Sequence, residues 1–219
     1  MYRIDLHTHS IASPDGGNSA ADYHKIISNG TLDCIAITDH NRIDFAQEMQ
    51  KSFGDRIIVG EEIMTTAGEI IGLFLSEKVR PGLSPEETID AIDSQGGLVY
   101  IPHPFETLRK GLDILIIDEL KGRIDVIEVY NGRALAQNRS QQAAVWAKLN
   151  SIPVAASSDA HGIKGLGKTY SAMAEIPTAK TLIQLLANST YVIGRPSIRA
   201  LAYPKFHKVR KKLSGKNYG

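Results

Sequence analysis

Short runs of β-branched and other apolar residues, each bounded by turn-forming residues, alternate along this chain with longer stretches whose apolar positions recur at helical spacing. The runs at 2–6, 34–38, 57–59, 70–75, 98–101, 126–129 and 154–156 predict seven strands. Ser19 is placed to cap a helix over 20–29 that stops at Gly30, and Ser84 followed by Pro85 starts another over 85–94, ended by Gly96 and Gly97. Helices are also expected over 134–150, rich in Ala, Gln and Leu, and over 179–188. Strand–helix alternation of this kind gives a parallel sheet, and periodicity does not distinguish an open doubly wound sheet from a closed barrel. No repeat, low-complexity block or linker divides residues 1–194, which are expected to form one domain, followed by a basic C-terminal segment, 195–219.

The polar residues add what periodicity lacks. The first run leads into His7 and His9, the second into Asp39 and His40, the third into Glu61 and Glu62, the fifth into His103, and the last into Asp159 and His161. Five of the seven histidines therefore sit at predicted strand ends. In a parallel barrel the carboxyl ends of the strands share one face, so these side chains, far apart in sequence, would converge on one pocket. Imidazole and carboxylate without thiolate is a ligand set for Zn, Mn or Fe. In His7-Thr8-His9 the two histidines point to the same side of an extended segment, and Asp159-Ala160-His161 repeats the spacing. Taken singly, each residue has a plainer role: Asp39 as a helix cap, Asp159 in a turn, His103 as a rigid-loop residue between Pro102 and Pro104. Their coincidence at five strand ends points to a multinuclear metal site, in which a carboxylate such as Glu62 can bridge two ions.

Composition narrows the setting. With 219 residues, 42% of them hydrophobic, the chain can bury a full core without disulfides or a structural metal. Cys34 is the only cysteine, which excludes an internal disulfide framework and suits a reducing, cytoplasmic location. No apolar run approaches the ~20 residues that span a bilayer, so no membrane partner is expected. The net charge of +1 conceals an asymmetry: from Arg195 onward there are eight Lys or Arg and no acidic residue, which leaves the body at −7. That segment is either a solvated terminus or a contact for RNA or another polyanion.

Taken together, DLHTHS at 5–10, ITDHN at 37–41, GEEI at 60–63, IPHP at 101–104, IEVYN at 127–131 and SSDAH at 157–161 resemble the PHP (polymerase and histidinol phosphatase) domain of metal-dependent phosphoesterases. The resemblance implies an α/β fold, a distorted seven-stranded (β/α)7 barrel holding two or three divalent metals (Zn, Mn or Fe), and hydrolysis of phosphate esters. It implies that His7, His9, Glu62 and Asp159 form one metal site, Glu62 and His103 a second, and Asp15, His40 and His161 a third. Asp15 stands where some members have histidine, which is closer to the small nucleotide-phosphatase and exonuclease branch. The second site lacks a histidine that some members carry after the bridging glutamate. Glu69 is the nearest substitute, with a strand-edge carboxylate as its plainer reading. Gly162 to Thr169 formally matches the P-loop pattern, but no strand leads directly into it and no clear helix follows, so it is read as a glycine-rich loop in which Lys168 could face a phosphate.

The expected chemistry is attack by a metal-activated hydroxide, with charge on the transition state neutralised by the same ions. Ser157 and Ser158 are then hydrogen-bonding or turn residues rather than nucleophiles, and His161, Asp15 or water supplies the proton to the leaving oxygen. Arg42 and Arg133 are candidate phosphate clamps, their plainer reading being solvated loop charge. Glu128 and Asn131 are expected at the same rim, Glu128 orienting a histidine. The expected substrate is a phosphorylated small molecule or nucleotide, with nucleotides or 5′-phosphorylated RNA ends leading. The alternatives are a phosphatase for a small metabolite such as histidinol phosphate, or a non-catalytic scaffold.

Overall fold

In the computed structural model, which describes residues 1–134, 138–197 and 201–213, all seven expected runs form strands. They are β1 (Tyr2–Thr8), β2 (Cys34–Ile37), β3 (Ile57–Met64), β4 (Glu69–Leu73), β5 (Leu98–Ile101), β6 (Val126–Asn131) and β7 (Val154–Ser157). Two further strands, β8 (Thr169–Met173) and β9 (Thr190–Ile193), follow and raise the count to nine among the described residues. β8 was not expected because Tyr170 to Pro177 lacks a clean alternation, and β9 because it is a four-residue edge strand exposed along most of its length. Thr169 opens a strand, not a helix, so the glycine-rich stretch before it lacks the helix N-terminus that a P-loop requires.

The strands form one sheet in the order β7-β6-β5-β4-β3-β2-β1-β8-β9. β1, β2 and β3 are mutually parallel, as are β5, β6 and β7, while β4 runs antiparallel to both its neighbours and β8 antiparallel to β1. The sheet curls back on itself into a nearly closed barrel. The segment after β7 returns to β1 through Asp159 N–H to the His7 carbonyl (2.9 Å), His9 N–H to the Ala160 carbonyl (3.0 Å) and Ser158 N–H to the Asp5 carboxylate (3.0 Å).

Helices α1 (Ala20–Ser28), α2 (Asp44–Phe53), α3 (Pro85–Asp93), α4 (Ile114–Leu120) and α5 (Ser140–Leu149) cover the outside. Ser19 and Ser84 cap α1 and α3 as expected, each in a reciprocal capping box with the residue three positions on, Asp22 and Glu87. The helix expected over 134–150 is α5; residues 135–137 of that stretch lie outside the described residues. Alternate positions divide the apolar residues between two cores. Ile35, Ile37, Val59, Val99, Ile101 and Ile127 pack against α1 to α5, whereas Ala36, Ile58, Ile71, Tyr100, Val126 and Ala155 face inward and meet Leu182 and Leu186 of α6 (Leu182–Ala187), which closes the barrel floor. No helix among the described residues is long and apolar enough to cross a membrane.

The basic C-terminal segment forms a further helix, α7 (Tyr203–Leu213), while residues 198–200 and 214–219 of that segment lie outside the described residues. α7 lies against the loops at the carboxyl ends of the barrel strands.

Candidate metal centre

Above the apolar floor the same inward positions turn polar. On β6, Val126 is followed two residues later by Glu128; on β7, Ala155 is followed by Ser157; on β3, Ile58 leads through Gly60 to Glu62. β4 runs the other way, so its beginning lies at the mouth, and Glu69 precedes the floor residue Ile71 on the same face. Its partner across the ladder is Met64, while Ile71 faces Glu62. The expectation that acidic residues and histidines gather at strand carboxyl ends therefore holds for the parallel strands, and Glu69 joins them because its strand is reversed.

The sequence-predicted set comes together. His7 Nε2 and His9 Nε2 lie 3.1 Å apart. Glu62 sits beneath them, with Oε2 3.2 Å from His9 Nε2 and 3.1 Å from His40 Nδ1, and Oε1 3.1 Å from His103 Nε2 and 3.5 Å from His7 Nε2. Asp159 Oδ1 is 3.5 Å from His9 Nε2 and 3.7 Å from His7 Nε2. On the outer side Asp15 reaches His161 Nε2 (3.3 Å) and His40 Nε2 (3.7 Å). Glu69 lies 3.8 Å from both His40 Nδ1 and His103 Nε2. Four overlapping groups thus offer ligand atoms within 4.8 Å of one another: His7, His9 and Asp159; His7, Glu62 and His103; His40, Glu62 and Glu69; and His9, Asp15, His40 and His161.

These residues fit divalent cations. Glu128 Oε1 accepts from His7 Nδ1 (3.1 Å), which leaves the Nε2 lone pair of His7 facing that of His9 and two carboxylate oxygens, Glu62 Oε1 and Asp159 Oδ1. Likewise His161 Nδ1 donates to the Asp159 carbonyl (2.9 Å) and frees Nε2 for the Asp15 side. Two imidazole nitrogens at 3.1 Å need a cation between their lone pairs or a proton on one of them. The buried His103 Nδ1 has no partner, so the ring is not held by a complete hydrogen-bond network of its own.

The local field favours positive charge. Burial alone would depress the His7 imidazolium, yet Asp159, Glu62 and Glu128 outweigh it and hold it well above its ordinary value. His40, opposed by burial but facing Glu62 and Asp15, is pushed up to about 10. Burial raises Glu62 and Asp159, but the surrounding histidines, with Arg133 and Arg109 for Asp159, hold both well below the carboxylate range. Glu69, raised by burial and by the Glu62 charge, sits at about 9, as expected of a carboxylate that shares its site with another.

Supporting contacts explain how loops hold these groups. Asp39 is not aimed at the cluster: its carboxylate accepts from Ser10 N–H (2.6 Å) and Ser10 Oγ (2.5 Å), tying the loop after β1 to the loop after β2. Tyr100 O–H donates to Glu128 Oε1 (3.0 Å) and lies 2.9 Å from Ser157 Oγ. Ser158 Oγ accepts from Ala160 N–H (3.2 Å), so both serines serve hydrogen bonding, as expected. Asp159 (φ 51°), His103 (φ 29°) and Asn41 (φ 54°) occupy the left-handed region, each at a cost on the order of 1–3 kcal/mol that the surrounding structure must offset.

The expected phosphate clamps part company. Arg133 is at the cluster, its Nη1 3.2 Å from both Asp159 carboxylate oxygens. Arg42 is not: its guanidinium pairs with Asp44 (2.5 and 2.7 Å) and donates to the Ala12 carbonyl (3.2 Å), lining a neighbouring cavity. Lys168 is exposed and is not on the wall of the metal cavity. The cation that the sequence reading missed is Arg109. Its Nη1 reaches Asp159 Oδ2 (2.9 Å) and Asn131 Oδ1 (2.6 Å), while Glu106 holds its Nε (2.7 Å) and Nη2 (2.6 Å). The only signal was its place six residues after His103, on the loop that a strand-end motif begins. Around the cluster opens a cavity of about 480 Å³, whose wall carries, among the described residues, four carboxylates and four basic side chains, Arg109, Lys110, Arg133 and Lys208.

The chain is similar to known proteins. A PHP-associated family model (PHP_C) matches residues 138–190. An uncharacterised protein of Methanocaldococcus jannaschii is 38% identical over 149 residues, 62% of this chain and 87% of the relative. Among solved structures, a two-domain protein of Bacteroides vulgatus containing a predicted PHP-like metal-dependent phosphoesterase superposes with a TM-score of 0.69 at 19% identity, over 94% of this chain and 69% of that one. A lesion-specific endonuclease of Pyrococcus furiosus superposes with a TM-score of 0.60 at 15% identity, over 88% of this chain and 57% of its own. The similarity in sequence, the nearly closed barrel and the convergence of histidines and carboxylates at its mouth lead to one conclusion: the chain belongs to the PHP-domain family.

Proposed function

We propose that the protein is a metal-dependent phosphoesterase, with nucleotides or 5′-phosphorylated nucleic-acid ends as the leading substrate class. The observation that carries this reading is the joining of overlapping ligand groups to a ring of basic side chains in one cavity. His7, His9, Glu62 and Asp159 would hold one divalent ion, Glu62 with His103 and Glu69 a second, and Asp15, His40 and His161 a third. Bound there, such ions supply Lewis acidity toward phosphoryl oxygens and acidify water near neutral pH.

The chain's own groups do the rest. Arg133 and Arg109, already fixed beside Asp159, are placed to donate to non-bridging phosphate oxygens in a planar fork. His161 is lowered to about 4, by burial first and then by the Arg133 and His9 charges, so at neutral pH its imidazole is a proton acceptor or ligand and not a standing acid. Asp15 stays ionised because His161 and His40 outweigh its burial. Proton delivery to the leaving oxygen therefore falls to water ordered by these two side chains.

A second reading, a phosphatase for a small metabolite, is favoured by the cavity wall, which among the described residues carries no Phe, Tyr or Trp on which a base would stack. The experiment is to strip the protein with a chelator, reload it with Mn, Zn or Fe, and measure bound metal together with phosphate release from AMP, histidinol phosphate and a 5′-phosphorylated RNA oligomer. Hydrolysis that depends on reloading is expected. Glu62→Gln should remove bound metal and on the order of 10³-fold of the rate. Full metal loading with no turnover of any ester would overturn the reading and leave a scaffold.

A further inference from the structure

α7 presents two unlike faces. Tyr203, Pro204, His207 and Lys211 recur on one side of the helix and hold it to the barrel. Pro204 is buried, and Lys211 Nζ donates to the carbonyls of Ile11 (2.7 Å) and Gly16 (2.9 Å) and to that of Ser13. Tyr203 packs on Gly162 and His207 on Gly17, each so closely that a Cβ at the glycine would come within 2.3 Å of the ring. Away from this face, Phe206, Val209 and Leu213, at i, i+3 and i+7, form an apolar stripe. All three are more than half exposed, so the barrel does not cover them, and with Arg210 they line a groove of their own.

Charge frames the stripe. α7 carries five Lys or Arg and no acidic residue. At 3.6 residues per turn, Lys205 and Lys212 fall on one flank of the stripe and Arg210 on the other, all three exposed. A helix lying in a lipid interface needs this arrangement, because its apolar side chains enter the acyl boundary while Lys and Arg stay at the level of the headgroups. Anionic headgroups complement the flanks. RNA would use the basic residues and leave the stripe in water. A stable protein partner needs about 800 Å² on each side, and a stripe of three side chains, about 10 Å long at 1.5 Å per residue, offers far less. Residues 1–194 carry −7, so an anionic surface repels the body while attracting the helix, which fixes one orientation. The lack of a helix able to cross a membrane, among the described residues, bears on spanning only, since an interfacial helix needs no span.

We propose that α7 docks the protein on an anionic lipid bilayer, with Phe206, Val209 and Leu213 inserted and Lys205, Arg210 and Lys212 at the headgroups. Because its other face is fastened to the loops at the barrel mouth, docking carries that mouth to the membrane surface. The proposal is independent of the phosphoesterase reading and makes no claim about the substrate.

The test is co-sedimentation of the full-length protein with vesicles of phosphatidylserine and phosphatidylcholine in equal parts, and with vesicles of phosphatidylcholine alone. The protein should bind the first and not the second, and binding should weaken as salt rises. Phe206→Ser should weaken it on the order of tenfold, as should Lys205→Gln combined with Lys212→Gln, while the urea midpoint stays unchanged. Insertion itself is read with Phe206→Trp: lipid brominated in its acyl chains should quench the added indole, against the background of Trp146, the one native tryptophan, on α5. No binding to anionic vesicles, undiminished binding by Phe206→Ser, or no quenching in Phe206→Trp would each overturn the proposal. Loss in the lysine variant alone, accompanied by retention on a single-stranded RNA oligomer, would overturn it in favour of RNA.

Discussion

The floor and the mouth of this barrel are built from the same strands and the same inward face, often two residues apart, yet they serve opposite ends. At the floor Ile71, Tyr100, Val126 and Ala155 are fully buried and close-packed against α6. At the mouth Glu69, Glu128 and Ser157 continue the same rows, also buried but carrying carboxyl or hydroxyl groups. Burial of apolar surface stabilises at roughly 25 cal/mol per Å², whereas burial of ionised groups costs several kcal/mol each unless partners offset it. One end of the cylinder thus holds the fold together, and the other uses that stability to keep mutually repelling carboxylates and imidazoles in register. A metal-binding mouth needs the floor; the floor does not need the mouth.

That asymmetry can be broken from either side. The largest effect is expected at the floor: Ile71→Ala should cost about 2–5 kcal/mol of unfolding free energy, measured by urea titration of the metal-free protein. A loss under 1 kcal/mol would mean that the inward apolar row is not the main support. At the mouth, Glu128→Gln should lower the metal-free unfolding midpoint less than Ile71→Ala does and weaken metal affinity about 10- to 100-fold, because Glu128 orients His7 and accepts from Tyr100. Competition against a metal indicator would read this, and an unchanged affinity would show that the His7 ring is oriented by packing alone.

A subtler effect is expected in the pH dependence of the metal-free protein. Glu62, Asp159, Asp15 and Glu128 are each raised by burial, but neighbouring cations overcome this and hold them below the carboxylate range. Their contribution is complete above pH about 4 and is lost as pH falls toward their folded values. Burial raises Asp5 and Glu61 to about 7, so the fold favours their protonated forms and stability declines as pH rises from about 4 through 7. His40, raised to about 10, contributes fully below pH about 6.5 and loses that contribution as pH climbs toward 10. In chelator the urea midpoint should therefore peak near pH 5, and added metal should move the peak upward as cations take the place of protons. A flat profile would refute the assignment of charge to the mouth.

Much of the site was legible because period-two alternation and strand-end position are local properties. His7, His9, Glu62 and Asp159 could be named once each run was recognised as a strand and its end located. Glu69 was ambiguous for the same reason: its strand begins at the mouth only because β4 is antiparallel, and direction is not written in a strand's own residues. Arg109 and Arg42 show the limit on loops, where a guanidinium reaches whichever carboxylate the backbone brings near, Asp159 in one case and Asp44 in the other.

By itself the sequence determined the seven central strands, the capped helices α1 and α3, and the strand-end placement of His7, His9, His40, Glu62, His103, Asp159 and His161, since these follow from spacing along a regular backbone, whereas Asp15 entered only through the family resemblance. Only the tertiary structure decided which strands run backward, that β8 and β9 extend the sheet, that Arg109 and not Arg42 reaches the histidine and carboxylate cluster, and that the basic C-terminal helix docks on the loop that presents Asp15. Those outcomes depend on contacts between segments up to 200 residues apart, as between Lys211 and Ile11, and no local pattern encodes which distant carbonyl an ammonium group will find.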